Sequence, residues 1–177
     1  MHSPKSTSRG LIRIRKRLLP HWTMNGAAYF VTFRLRREKL TVDETKLILG
    51  HVCSGDGRFY RLHAAVIMPD HVHLLLTPNK PYTLSQIMKG IKGGSAHLVN
   101  LARTYRGQVW QRESHDRIVR SKTEFVRKLN YILNNPLKAG LTKDPHSYPA
   151  LYIDEEYWPH LDRRTIHGRD THSWVSL

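Results

Sequence analysis

Phe59-Tyr-Arg-Leu-His-Ala-Ala-Val-Ile-Met68, Pro69-Asp70 and His71-Val-His-Leu-Leu-Leu-Thr77 follow one another without a gap, and this stretch decides the fold. Each apolar run is short, bounded by a turn signal and far below the length of a membrane span, so each reads as a strand. Proline fixes φ and aspartate favours a local turn, so the chain reverses at residues 68–70. Two strands joined by so short a link pair as an antiparallel hairpin, with His71 and His73 at its end.

Working outward, Tyr29, Val31, Phe33 and Leu35 alternate with Phe30, Thr32, Arg34 and Arg36, the period of a strand whose second face turns basic. Thr41-Val-Asp-Glu44 has the form of a capping box and opens a helix through Leu47, Ile48 and Val52, ended by Ser54-Gly-Asp-Gly57. Downstream, Thr83-Leu-Ser-Gln86 is a second capping box. It starts a helix carrying Leu84, Ile87, Met88, Ile91, Leu98 and Leu101, with Gly93-Gly94 as a weak point and Lys89 and Lys92 off the apolar stripe. A short strand is expected within residues 108–119. A third capping box, Ser121-Lys-Thr-Glu124, begins a helix with Phe125, Leu129, Ile132 and Leu133 inward and Pro136 as its stop. The order βαββαβα predicts an α+β, ferredoxin-like sandwich, one antiparallel sheet with helices on one face. Residues 1–24 read as a basic, flexible arm and 25–141 as the folded domain that carries the motifs. Residues 142–177, with Pro145, Pro149 and Pro159 among aromatic residues, read as an irregular segment packing back on the domain.

Composition narrows the function classes. The 177 residues carry 29 Lys and Arg against 14 Asp and Glu, a formal charge of +15. With 40% hydrophobic residues the chain has the makings of a core, so this is not a disordered tail but a globular protein with strong self-repulsion, as a polyanionic partner requires. Cys53 is the only cysteine, which excludes an internal disulfide and a cysteine zinc knuckle. No apolar stretch is long enough to span a bilayer, so no membrane is expected and the protein is placed in the cytoplasm, associated with the nucleoid.

Two local patterns bear on chemistry. Residues i and i+2 on a strand share a face, so His71 and His73 present two imidazoles spaced to chelate one metal ion. In a chain with twelve histidines a bare H-x-H is more often structural. Tyr131 and Asn135, four apart, share one face of the last helix with Glu124 and Lys128, on the flank of its apolar stripe, where a tyrosine is more often half-buried packing than a nucleophile.

The segments Tyr29-Phe-Val-Thr-Phe-Arg-Leu35, Ala65-Val-Ile-Met-Pro-Asp-His-Val-His-Leu-Leu-Leu76, Val109-Trp-Gln-Arg112 and Tyr131-Ile-Leu-Asn-Asn-Pro-Leu-Lys-Ala-Gly-Leu141 occur in that order. Together they resemble the REP-associated tyrosine transposases, a branch of the single-tyrosine HUH transposases, over about residues 28–150. The resemblance implies that His71 and His73 bind a divalent metal, Mg²⁺ or Mn²⁺, with Asn135 as a further ligand and Tyr131 as the nucleophile. It implies cleavage and rejoining of single-stranded DNA at hairpins through a 5′-phosphotyrosine, which conserves bond energy so that rejoining needs no ATP. Two positions depart from the family: Asp70, where Asn is frequent, and His115, in place of an aromatic residue before Asp116. Arg34, Arg36, Lys89, Lys92, Arg112 and Arg120 are the candidate DNA contacts, and a monomer is expected, with a dimer as the alternative. A replication initiator or relaxase uses a similar site, but a relaxase places its tyrosine before the H-x-H. A ferredoxin-like nucleic-acid binder without catalysis, and a metallohydrolase that forms no covalent adduct, are the remaining alternatives.

Overall fold

The structure, a computed structural model, describes residues 26–161. The predicted arm at 1–24 and the end of the C-terminal segment lie outside the described residues. Five strands form one antiparallel sheet: β1 (Tyr29–Leu35), β2 (Tyr60–Ile67), β3 (His71–Pro78), β4 (Trp110–Ile118) and β5 (Leu151–Ile153), in the spatial order β4-β1-β3-β2-β5. Three helices accompany them, α1 (Val42–Cys53), α2 (Leu84–Ala102) and α3 (Lys122–Lys138). The class is α+β, with the βαββαβα order expected.

The hairpin forms as the sequence dictates, with the Met68 amide donating to the His71 carbonyl at 2.8 Å to close its turn. Two of the capping boxes are complete, Thr41 with Glu44 and Thr83 with Gln86, each pair satisfying two amides that a helix start leaves bare. The third differs. The Ser121 hydroxyl accepts from the Glu124 amide at 3.1 Å, but the Glu124 carboxylate reaches the Arg120 amide at 2.9 Å instead of the Ser121 amide.

The expectation of helices on one face holds for α1 and α2 and fails for α3. Ile48 and Val52 of α1 and Ile87, Met88, Ile91 and Val99 of α2 pack on Val31, Phe33, Leu62, Leu74 and Leu76. Phe125, Leu129, Ile132 and Leu133 of α3 pack on Phe30, Ala64, Val66 and Leu75, on the opposite side of the same strands. The cause lies in the central strands, whose unbroken apolar runs leave both faces in need of cover.

Two more differences concern the chain's end. Pro136 does not stop α3, which runs on to Lys138. In the last turn the missing amide forgoes only the bond to the Ile132 carbonyl. The stop comes from Gly140, whose φ of 69° turns the chain left-handed. The Gly140 amide then donates to the Leu137 carbonyl at 3.0 Å and the Leu141 amide to that of Pro136 at 2.9 Å. Residues 142–161, expected as irregular chain, supply β5 and two short 3₁₀ turns (Pro145–Ser147 and Glu155–His160), and place Tyr157 and Leu161 in the core beneath α3.

Candidate active site

Strand register decides which side chains share the α3 face. Thr32 of β1 lies opposite His73 of β3 and His115 of β4; Arg34 lies opposite His71, and Phe30 opposite both Leu75 and Arg117. A row of polar and cationic groups therefore crosses the sheet at the hairpin end, while the apolar core of α3 occupies the other end. Buried Phe125, Leu129 and Ile132 fix the rotation of α3, and Tyr131, on the helix flank, is carried over the histidine row.

The Tyr131 hydroxyl lies 3.4 Å from Nε2 of His73. Their rings meet edge to face, with centroids 5.0 Å apart, and the His71 and His73 rings lie 4.7 Å apart. Phe30 stacks on His73 at 5.4 Å and meets the Tyr131 ring edge-on at 5.8 Å, so one aromatic side chain supports both groups. His73 is 5% exposed and Tyr131 39% exposed, so the imidazole is held rigidly while the phenol opens to solvent.

Each imidazole has one nitrogen committed. Nδ1 of His73 lies 2.7 Å from the Thr32 hydroxyl, and Nδ1 of His71 lies 2.7 Å from the Asp70 carboxylate. Both rings are left with Nε2 available, the arrangement by which outer partners orient metal-binding histidines. Asp70, the departure from the family pattern, thus supplies an orienting acceptor. Burial, with repulsion from His71, Arg34 and Lys128, pushes the His73 pKa down to about 3, so the ring is neutral at physiological pH, as a metal ligand must be.

Asn135, one turn beyond Tyr131 on the same flank of α3, is 9% exposed. Among the described residues no group of three His, Cys, Asp or Glu side chains is arranged to hold a metal. Two imidazoles with one amide oxygen form a ligand set that suits a hard divalent cation with open positions.

The predicted DNA contacts separate. Arg34 is exposed beside His71, and Arg112 and Arg120 are exposed on and just after β4. The Arg36 guanidinium donates to Gln108 at 2.6 Å. Lys89 is exposed on α2, across the sheet from the histidines. Lys92 donates to the Gln111 and Arg112 carbonyls at 2.8 and 2.9 Å, pinning α2 to the start of β4, and burial lowers its pKa. Sequence reasoning missed Thr32 and Arg117, which become visible only through strand register. Lys128 was readable on the helix face of Tyr131, and the structure adds its place against Phe30 of β1.

The geometry agrees with an independent finding. Residues 25–135 match the family model described as "Transposase IS200 like". The chain belongs to this family. It is also similar to the REP-associated tyrosine transposase of Escherichia coli (strain K12), 25% identical over 130 residues that cover 71% of this chain and 76% of that protein. A solved structure of a REP-associated tyrosine transposase bound to a REP hairpin shares the fold, with a TM-score of 0.60 and 20% identity over 86% of this chain and 91% of the other. Among the described residues no helix is long and apolar enough to cross a membrane.

Proposed function

We propose that this transposase cleaves and rejoins single-stranded DNA beside hairpins of the REP type, using Tyr131 as nucleophile and a divalent metal, Mg²⁺ or Mn²⁺, held by His71, His73 and Asn135. The observation that carries the reading is the Tyr131 hydroxyl, 3.4 Å from Nε2 of the buried His73 in the same chain. The family, the named relative and the hairpin-bound structural relative support the substrate class.

Tyr131 Oη attacks the phosphorus of a phosphodiester, forming a new P–O bond as the bond to the 3′ oxygen breaks. The phenol's proton ends on that oxygen. The products are a 5′-phosphotyrosine and a free 3′-OH, with no net loss of ester bonds, so the reverse attack by another 3′-OH joins new ends. A cation held by His71, His73 and Asn135 would supply Lewis-acid polarisation of the phosphate. Thr32 and Asp70 hold the two rings in the tautomers that leave Nε2 free, and Phe30 fixes the spacing of His73 and Tyr131. A nucleophile and histidine pair from one chain support action as a monomer.

Arg34, with Arg117, lines the route of a strand across the histidine row, Arg112 and Arg120 are further exposed contacts on and just after β4, and Arg36 extends the basic surface; Lys89, across the sheet, lies outside this route. Lys92 contributes through the fold. Binding by such a surface weakens with salt at about −0.7 in log-log slope per phosphate neutralised on a single strand. The test is incubation of end-labelled hairpin oligonucleotides with Mn²⁺ followed by a denaturing gel. The wild type is expected to give a covalent band that EDTA abolishes and that Tyr131→Phe lacks. Binding without any covalent band would favour a non-catalytic nucleic-acid module.

A further inference from the structure

Lys128 stands one turn before Tyr131 on α3, half-buried against β1. Its ammonium lies 4.2 Å from the centroid of Phe30 and 5.9 Å from that of Tyr131. Among the described residues it has no hydrogen-bond acceptor, although an ammonium carries three donors and is costly to withdraw from water unpaired. Burial lowers its pKa, and of the charges around it Glu124 attracts it while Arg117 and Arg127 repel it; the Glu124 carboxylate is hydrogen-bonded to the Arg120 amide at the start of the helix and not to the ammonium. Arg34 and Arg117 project from β1 and β4 on the same face. A cation held on the flanks of two aromatic rings, with its donors unused and beside a nucleophile, is arranged for an anion that arrives with the substrate.

Resting on the reading of Tyr131 as nucleophile, we propose that Lys128 is a catalytic residue that grips a non-bridging oxygen of the scissile phosphate and holds it against the Tyr131 hydroxyl, with Arg117 and Arg34 seating the adjoining phosphates. The negative charge on the phosphate oxygens grows as the phenol oxygen adds to phosphorus, so a fixed ammonium at that place favours the transition state over the bound substrate. Charge-assisted hydrogen bonds of this type correspond to about a 10- to 100-fold effect on rate.

The test is single-turnover formation of the covalent band by wild type, Lys128→Met and Lys128→Arg, each with an ordinary oligonucleotide and with one bearing a neutral methylphosphonate at the cleaved linkage. Lys128→Met keeps the packing of the stem on Phe30 and removes the charge. It is expected to slow adduct formation about 10- to 100-fold with less than about 3-fold change in oligonucleotide affinity, while Lys128→Arg stays within about 5-fold of wild type. The methylphosphonate is expected to slow the wild type far more than it slows Lys128→Met, because each change removes one partner of the same contact. A merely structural lysine would leave the two penalties independent. Wild-type rates in Lys128→Met, equal losses in Lys128→Met and Lys128→Arg, or additive penalties would overturn the proposal while leaving Tyr131 as nucleophile. Absence of any adduct in the wild type would overturn both.

Discussion

The α3 face of the sheet contains two buried histidines, one at each end, and their contrast separates a structural imidazole from a chemical one. At the sealed end, His63 has both nitrogens satisfied, Nδ1 by the Tyr157 hydroxyl and Nε2 by the Thr77 hydroxyl, each at 2.9 Å, and it meets Phe125 edge to face. At the open end, His73 has Nδ1 satisfied by Thr32 while Nε2 faces the exposed phenol of Tyr131. Burial pushes both pKa values down to about 3, and the two are 6% and 5% exposed. Burial and titration therefore do not distinguish them. The partner of the second nitrogen does.

The strongest way to break this comparison is to truncate each ring. His73→Ala is expected to reduce covalent adduct formation per folded molecule by at least about 10³-fold, a loss that its cost in stability does not account for. His63→Ala is expected to do the reverse. It leaves the Tyr157 and Thr77 hydroxyls unpaired beside a new cavity, costing about 2–4 kcal/mol in urea unfolding, with adduct formation per folded molecule retained. Similar losses of activity in both variants would erase the distinction.

The sealed end also fixes a pH dependence. The His63 pKa is about 3 in the folded state against an ordinary 6.5, lowered first by burial and then by Arg61. Below pH 6.5 the unfolded chain takes up a proton that the folded one refuses, so folding stability falls as pH drops toward 3 and the loss ends there. This histidine alone contributes a slope of up to about 1.4 kcal/mol per pH unit. Unfolding measured from pH 7 to 4 is expected to be less steep in His63→Gln than in wild type; equal slopes would contradict the assignment.

Smaller effects sharpen the open end. Thr32→Val keeps the shape and removes the Nδ1 partner of His73, and about a 10-fold weaker Mn²⁺ requirement curve for adduct formation is expected. Asp70→Asn retains an acceptor for Nδ1 of His71 and loses only its charge, so a change of less than about 3-fold is expected in the same titration. A larger effect for Asp70→Asn than for Thr32→Val would reverse the roles assigned to the two outer partners.

Much of this architecture was legible because it is local. Alternation marked β1, the Pro69-Asp70 break marked the hairpin, and hydroxyl-to-carboxylate spacings marked the helix starts. The side on which α3 packs was misread as that of α1 and α2, although the unbroken apolar runs of β2 and β3 carry the signal that both faces are covered. An amphipathic helix says that one of its faces is buried and nothing about which side of a sheet buries it. β5 escaped because three residues show no period, and the Pro136 stop was misread because Gly140, two residues beyond Lys138, is the position whose backbone leaves the helix. At the site, the spacing of His71 and His73 and the flank position of Tyr131 were readable, whereas their meeting depends on a separation of 58 residues in sequence. Thr32 enters only through strand register, and Lys128, readable beside Tyr131 on the helix, meets Phe30 only through helix placement.

The central claim, that the Tyr131 phenol becomes joined to DNA phosphate, is tested most directly by peptide mapping of the adduct. Trypsin cuts after Lys128 and Lys138, releasing a ten-residue peptide in which Tyr131 is the sole tyrosine. After nuclease trimming, the account predicts a nucleotide 5′-phosphate on that peptide, fragmenting to Tyr131 and dependent on added Mn²⁺. A nucleotide attached to any other residue, or single-strand cleavage with every peptide unmodified, would contradict it.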